Sequence, residues 1–151
     1  LLDVQSALAR GDVARAATAL APYANDGSRP VLLLSTEAGL AAKGGDASAL
    51  KQQADRLQTW VATHPRDSLA WTALSQTQDR LGQPLRAVRA DAESRLALGD
   101  LNGAADRLQA GQRRARSGGP VDFIDVSVID ARLRDVEQQR RQRRDDEKSL
   151  K

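Results

Sequence analysis

One histidine, two tryptophans, two spaced aspartates and two arginine clusters are the side chains of this 151-residue sequence with chemistry to offer. His64 could act as a general base, but a base needs a nucleophile or substrate proton within hydrogen-bond reach. No Ser, Cys or carboxylate stands in a motif around it. It precedes Pro65, which pushes the preceding residue out of the helical region, so a loop histidine at a helix stop is the expected role. A zinc site needs three or four converging ligands, and one His with no Cys cannot supply them at recognisable spacing. Gly44-Gly45-Asp46 and Ser117-Gly118-Gly119-Pro120 lack the Lys and Ser/Thr of a phosphate loop and read as helix stops. Trp60 and Trp71 could stack on a ligand, but beside Leu57, Val61 and Leu74 at helical spacing they read as core. Asp125 and Asp130 could be paired carboxylates. On a helix they lie seven residues before Arg132 and four before Arg134, which points instead to solvated charge pairing. Arg113, Arg114 and Arg116, then Arg140, Arg141, Arg143 and Arg144, could meet RNA, anionic lipid or an acidic partner. Asp145, Asp146 and Glu147 follow the second cluster at once, and no aromatics are interleaved for base stacking, which disfavours nucleic acid.

The elements that carry these residues are helices. Ala, Leu, Arg, Asp and Gln dominate and aromatic residues make up 3% of the chain, a helix-former composition. The 23 basic residues are mixed with 20 acidic ones for a net charge of +3, unlike the segregated basic face of a general nucleic-acid binder. Absent cysteine removes disulfides and thiolate metal sites and fits a reducing cytosol or an oxidising periplasm. No apolar run approaches the roughly 18 residues of a membrane span. The chain begins Leu1-Leu2-Asp3 without an initiator Met, which predicts a piece of a longer protein.

A turn of Gly followed by Asp or Gln recurs at Gly11-Asp12, Gly45-Asp46, Gly82-Gln83 and Gly99-Asp100, at intervals of 34, 37 and 17 residues. A 34-residue period is that of a two-helix unit which must stack on its neighbours to bury its apolar face. The turns divide the chain into eight helical segments in pairs over about 2–23, 31–63, 67–98 and 101–136. Asp12, Asp46 and Asp67 or Ser68 serve as N-caps, and Leu50, Ala54, Leu57 and Val61 form an amphipathic stripe. The last helix starts near Val121 or Asp122. The polar stretch 137–151 is expected to be a charged helix end or a disordered tail.

Ser68-Leu69-Ala70-Trp71-Thr72-Ala73-Leu74, then Leu81-Gly82 and Ala87, resembles the tetratricopeptide repeat. Trp71, Leu74 and Ala87 fall on pattern positions, whereas Gln78 stands at the aromatic position and Asp91 where a bulky group is usual. The resemblance implies an all-α, right-handed superhelix (a solenoid) of about eight antiparallel helices over 1–136, whose first helices line a concave peptide groove. Carried onto the Trp71 unit, it directs Leu69, Thr72, Gln76, Asp79 and Arg80 into the groove, with Leu32, Ser35, Gly39 and Lys43 from the preceding unit. The corner at Gly99 comes half a repeat early, so 84–98 reads as the second helix of one unit or the first of the next. In the second register Arg86, Arg89 and Glu93 join the groove.

The segment from Arg89 through Ala92-Glu93 to Gly99-Asp100, Ala104 and Leu108, with Asp130-Ala131-Arg132-Leu133-Arg134 later, is similar to the helical domain behind the catalytic part of M48-family zinc metalloproteases. These are exported bacterial enzymes of envelope protein quality control. The resemblance covers roughly 65–140 and implies a periplasmic or exported, non-catalytic interaction domain with a protein or peptide partner. The chain has no His-Glu-x-x-His, so no cofactor is expected in it, and zinc would belong to an absent protease domain. The alternatives are a stand-alone repeat adaptor in secretion or envelope assembly and, on the Arg clusters alone, an RNA-binding helical repeat.

Overall fold

A computed structural model describes residues 1–151. It is all-α, with eight helices and no strands: α1 (Leu2–Ala9), α2 (Val13–Leu20), α3 (Arg29–Ala41), α4 (Ala47–Thr63), α5 (Ser68–Arg80), α6 (Pro84–Ala97), α7 (Leu101–Arg116) and α8 (Phe123–Ser149). A 3-10 turn, Ala21–Tyr23, follows α2. No helix is long and apolar enough to cross a membrane.

Local chemistry sets the corners. Gly11, Gly82 and Gly99 take φ of +73°, +72° and +80°, a left-handed conformation open to glycine without a Cβ penalty. At each, the next residue's N–H reaches back five residues to a helix-end carbonyl: Asp12 to Ala7 at 2.8 Å, Gln83 to Gln78 at 2.9 Å and Asp100 to Arg95 at 2.9 Å. That bond satisfies a carbonyl orphaned by the helix end. The second corner differs, because Gly44 rather than Gly45 takes the positive φ. Aspartates then start five helices. Asp12, Asp46, Asp67, Asp100 and Asp122 accept from the N–H of Arg15, Ser48, Ala70, Gly103 and Ile124 at 3.1, 2.9, 3.2, 2.8 and 2.8 Å. Asp67, not Ser68, is the cap of α5.

Packing is sequential. Each helix packs on the next, and substantial contact never extends beyond the next helix but one. The core is correspondingly divided into three buried clusters, around Val4, Ala16 and Leu34; around Leu57, Trp71 and Leu74; and around Leu85, Leu108 and Ile129. Next-but-one packing joins α1 to α3 and α3 to α5, then changes row and joins α6 to α8. The two better-defined rows share a register: Arg29 meets Asp67 and Arg80 meets Leu40, 38 and 40 residues apart, while Arg86 meets Asp125 and Arg132 meets Glu93, each 39 apart. Helix α6 is therefore both the partner of α5 in a hairpin and the start of a second row through α8. That dual role is the physical content of the early corner at Gly99.

The polar end of the chain is helical. α8 continues to Ser149, through most of 137–151. Arg140 donates to Glu137 at 3.1 Å and Gln142 to Asp146 at 3.0 Å, and such pairs one turn apart support a helix whose tip buries little.

Gly111 sits where α7 packs tightly against α6 and α8. A Cβ there would lie 2.9 Å from Val88 Cγ1 on α6 and 3.2 Å from Ile129 Cδ1 on α8. Gly111→Val is expected to cost about 1–3 kcal/mol by overpacking, read as a lower urea midpoint at unchanged slope. Gly111→Ala should lie closer to neutral, because about 1 kcal/mol of helix propensity offsets the smaller clash.

Candidate functional site

Helices α3 and α5 lie side by side with a groove of about 400 Å³ between them. Leu33, Glu37 and Leu40 line it from α3, and Leu69, Thr72 and Gln76 from α5. Leu69 is 60% exposed, an aliphatic side chain standing in solvent at the groove. Glu37 and Gln76 are exposed and Thr72 is half-buried, its hydroxyl 2.8 Å from that of Ser94. Apolar contact and polar side chains are thus available together, as a peptide with its own unpaired backbone groups requires.

Both ends of the groove are held by bridges between its two walls. At the N-terminal end Asp67 collects four donors: Arg29 Nε at 2.6 Å and Nη2 at 3.0 Å, Trp60 Nε1 at 2.9 Å, and the Ala70 amide at 3.2 Å. Hydrogen bonding from Arg29 is the largest reason its carboxyl stays ionised far below the usual 3.8. Burial opposes the shift, and Trp60 and Ala70 add to it. At the C-terminal end the Arg80 guanidinium donates to the Leu40 carbonyl at 2.5 Å, capping α3. Spacing between the walls is therefore fixed by side chains at the two ends rather than by the groove floor alone.

Of the residues expected in the groove, Leu69, Thr72 and Gln76 line it, and Arg80 closes its end. Asp79 is exposed beside Arg80. The α3 face is rotated from the expected one. Leu32 is buried in the central core and Gly39 faces Leu50 of α4, so Leu33, Glu37 and Leu40 take the positions expected of Leu32, Ser35, Gly39 and Lys43. Gln53 of α4 anchors this rotation by donating to the Leu32 carbonyl at 3.0 Å and to Thr36 Oγ1 at 2.7 Å.

Arg86, Arg89 and Glu93 do not join the groove. Antiparallel packing on α5 turns their face of α6 toward α8. Arg86 pairs with Asp125 at 3.2 Å, buried Glu93 with Arg132, and the Arg89 guanidinium lies 5.4 Å above the Trp71 ring. Asp125 and Asp130 are also corrected. They pair across helices, with Arg86 and with Gln112 Nε2 at 2.8 Å, instead of with Arg132 and Arg134 on their own helix. Trp71 is buried as expected, whereas Trp60 is half-buried, with the His64 ring stacked on it at 3.7 Å. His64 Nδ1 lies 3.0 Å from Thr63 Oγ1 and 3.1 Å from the Trp60 carbonyl, so the ring closes the end of α4.

A second concave surface was not legible in the repeat pattern. Between α7 and α8 runs a groove of about 970 Å³, with Ala115, Val126 and Leu133 in its floor. Phe123, 83% exposed, stands at its mouth. The available signal was the apolar surplus at the start of α8, where Phe123, Ile124, Val126, Val128 and Ile129 cannot all face one neighbour. No protein-family model matches the chain, and a search of curated proteins returns no relative.

Proposed function

We propose that this chain is a non-catalytic recognition scaffold, a tetratricopeptide-like superhelix whose α3–α5 groove receives a peptide segment of a partner protein. The observation that carries the reading is exposed Leu69 beside a groove bridged at both ends, by Arg29–Asp67 and by Arg80 on the Leu40 carbonyl. A groove pre-set by its own bridges loses little ordering entropy on binding, which favours recognition of flexible segments. On the resemblance over 65–140, the proposed role is that of the helical domain of a periplasmic M48-type metalloprotease of envelope protein quality control. A His-Glu-x-x-His helix encoded upstream of Leu1 is what that role requires. A coding sequence that lacks one leaves the stand-alone adaptor.

The groove is tested with peptides selected on the chain from a random display library. Leu69→Glu should weaken their binding by about tenfold or more, since it puts a charge into the apolar contact. Gln76→Ala should weaken it by a smaller factor, with circular dichroism unchanged in both. Selected peptides that bind both variants as tightly as the parent would refute the groove.

A further inference from the structure

The α7–α8 groove carries chemistry of its own. Helix α8 presents two stripes. Ile129, Arg132 and Val136 turn inward to α6 and α7, while Phe123, Val126, Asp130, Leu133, Glu137 and Arg141 line the open groove. The second set recurs every three or four residues over 19 residues, a continuous face about 27 Å long. Its floor is continuous with the core, since Ala115, Val126 and Leu133 pack directly on the cluster around Leu108 and Ile129.

Charge along the groove leans positive, three arginines against two acids. Of the acids, Glu137 is paired with Arg140, and Asp130 accepts a hydrogen bond from the neutral Gln112 amide. Arg116, Arg134 and Arg141 also line it, are exposed, and take part in none of the ion pairs of the structure. An apolar floor rimmed by three free guanidinium groups is complementary to an apolar stripe flanked by carboxylates. The walls are helices whose backbone groups are spent on their own hydrogen bonds. Against the apolar floor a helix satisfies its own N–H and C=O groups, whereas an extended peptide would have to find side-chain partners at the rim. A second copy placed by a two-fold axis would set the same arginines against one another.

We propose that the α7–α8 groove is a second docking site, whose occupant is an acidic amphipathic helix of a partner protein. Its apolar stripe packs on Phe123, Val126 and Leu133, and its carboxylates pair with Arg116, Arg134 and Arg141.

The probe is a fluorescein-labelled, helix-stabilised peptide of about 18 residues with leucines on one face and glutamates flanking them, beside a twin carrying lysines instead. Fluorescence polarisation with the full chain should show saturable binding of the glutamate peptide, weakened at high salt, and at least about tenfold weaker binding of the lysine twin. Arg134→Glu with Arg141→Glu should reverse that preference, Phe123→Ala should weaken the glutamate peptide, and Leu69→Glu should leave it unchanged. Equal affinity for both peptides, or no binding of either, overturns the proposal. So does self-association in sedimentation that Phe123→Glu abolishes, since the occupant is then a second copy.

Discussion

Asp67→Ala is expected to lower the stability of the chain by about 3 kcal/mol, the sum of a lost helix cap of about 1 kcal/mol and donors left without a strong acceptor. The carboxylate is largely buried and serves three elements at once. It caps α5 through Ala70, anchors the start of α3 through Arg29, and accepts the indole N–H of Trp60 at the end of α4. In a chain of this size the loss should appear as a fall in melting temperature of about 6–12 °C. Asp67→Asn retains the cap and one acceptor, so its loss should be about half as large. If Asp67→Ala melts with the parent, the bridge does not set the α3–α5 spacing. Because those helices wall the groove, peptide affinity should fall with stability in the Ala variant.

The same residue gives an acid dependence with a definite sign. The unfolded chain takes up the Asp67 proton near the ordinary 3.8, while the folded carboxylate resists it to much lower pH because Arg29 hydrogen-bonds the charged form. Its contribution is therefore complete above about pH 4 and drains away as pH falls through the lower folded value. The gap between parent and Asp67→Asn in urea titrations should be widest near neutrality and narrow below about pH 4. A gap that widens toward acid would refute the assignment.

The contrast between Asp67 and Glu93 explains how much of this molecule was legible from its sequence. Corners and caps are local chemistry. A glycine at positive φ followed by Asp or Gln specifies the same turn at Gly11, Gly82 and Gly99 whatever packs around it. On α5, buried Trp71 and Leu74 lie three residues apart and mark the inward face, which leaves Leu69, Thr72 and Gln76 for the groove side. The facing wall was not legible, since Val31-Leu32-Leu33-Leu34 has no polar residue to mark which leucine faces out, and the rotation is set by Gln53 on another helix. Arg86 and Glu93 find their partners 39 residues away, a distance at which spacing along one helix carries no information. The α7–α8 groove was hidden for a related reason: an apolar surplus on α8 shows that more than one face is apolar without showing which face the bundle leaves open.

Arg132→Ala is the second large effect expected, about 3 kcal/mol, because it leaves a buried carboxylate without its main partner. Arg132 Nη2 bonds Glu93 Oε2 at 3.1 Å while Nε bonds the other oxygen, and hydrogen bonding to Glu93 holds the guanidinium pKa above its ordinary value. Arg89, 4.0 Å from Glu93, is the only cation that remains beside it. Glu93→Ala should cost less, since Arg132 is partly exposed and can turn to Asp135 or to water. Arg132→Lys restores the charge without the two-pronged geometry and should recover only part of the loss. Replacing both residues by leucine should be milder than Arg132→Ala alone, because no buried charge is then left unpaired. The pair is the main polar tie between α6 and α8, so the damage should be local. Hydrogen exchange should quicken along α8 in Arg132→Ala while amides of α3 and α4 keep their protection. Uniform acceleration through the chain would mean that the second row does not open separately from the first. A double variant as unstable as the two single losses added would mean that Glu93 and Arg132 do not act as a pair.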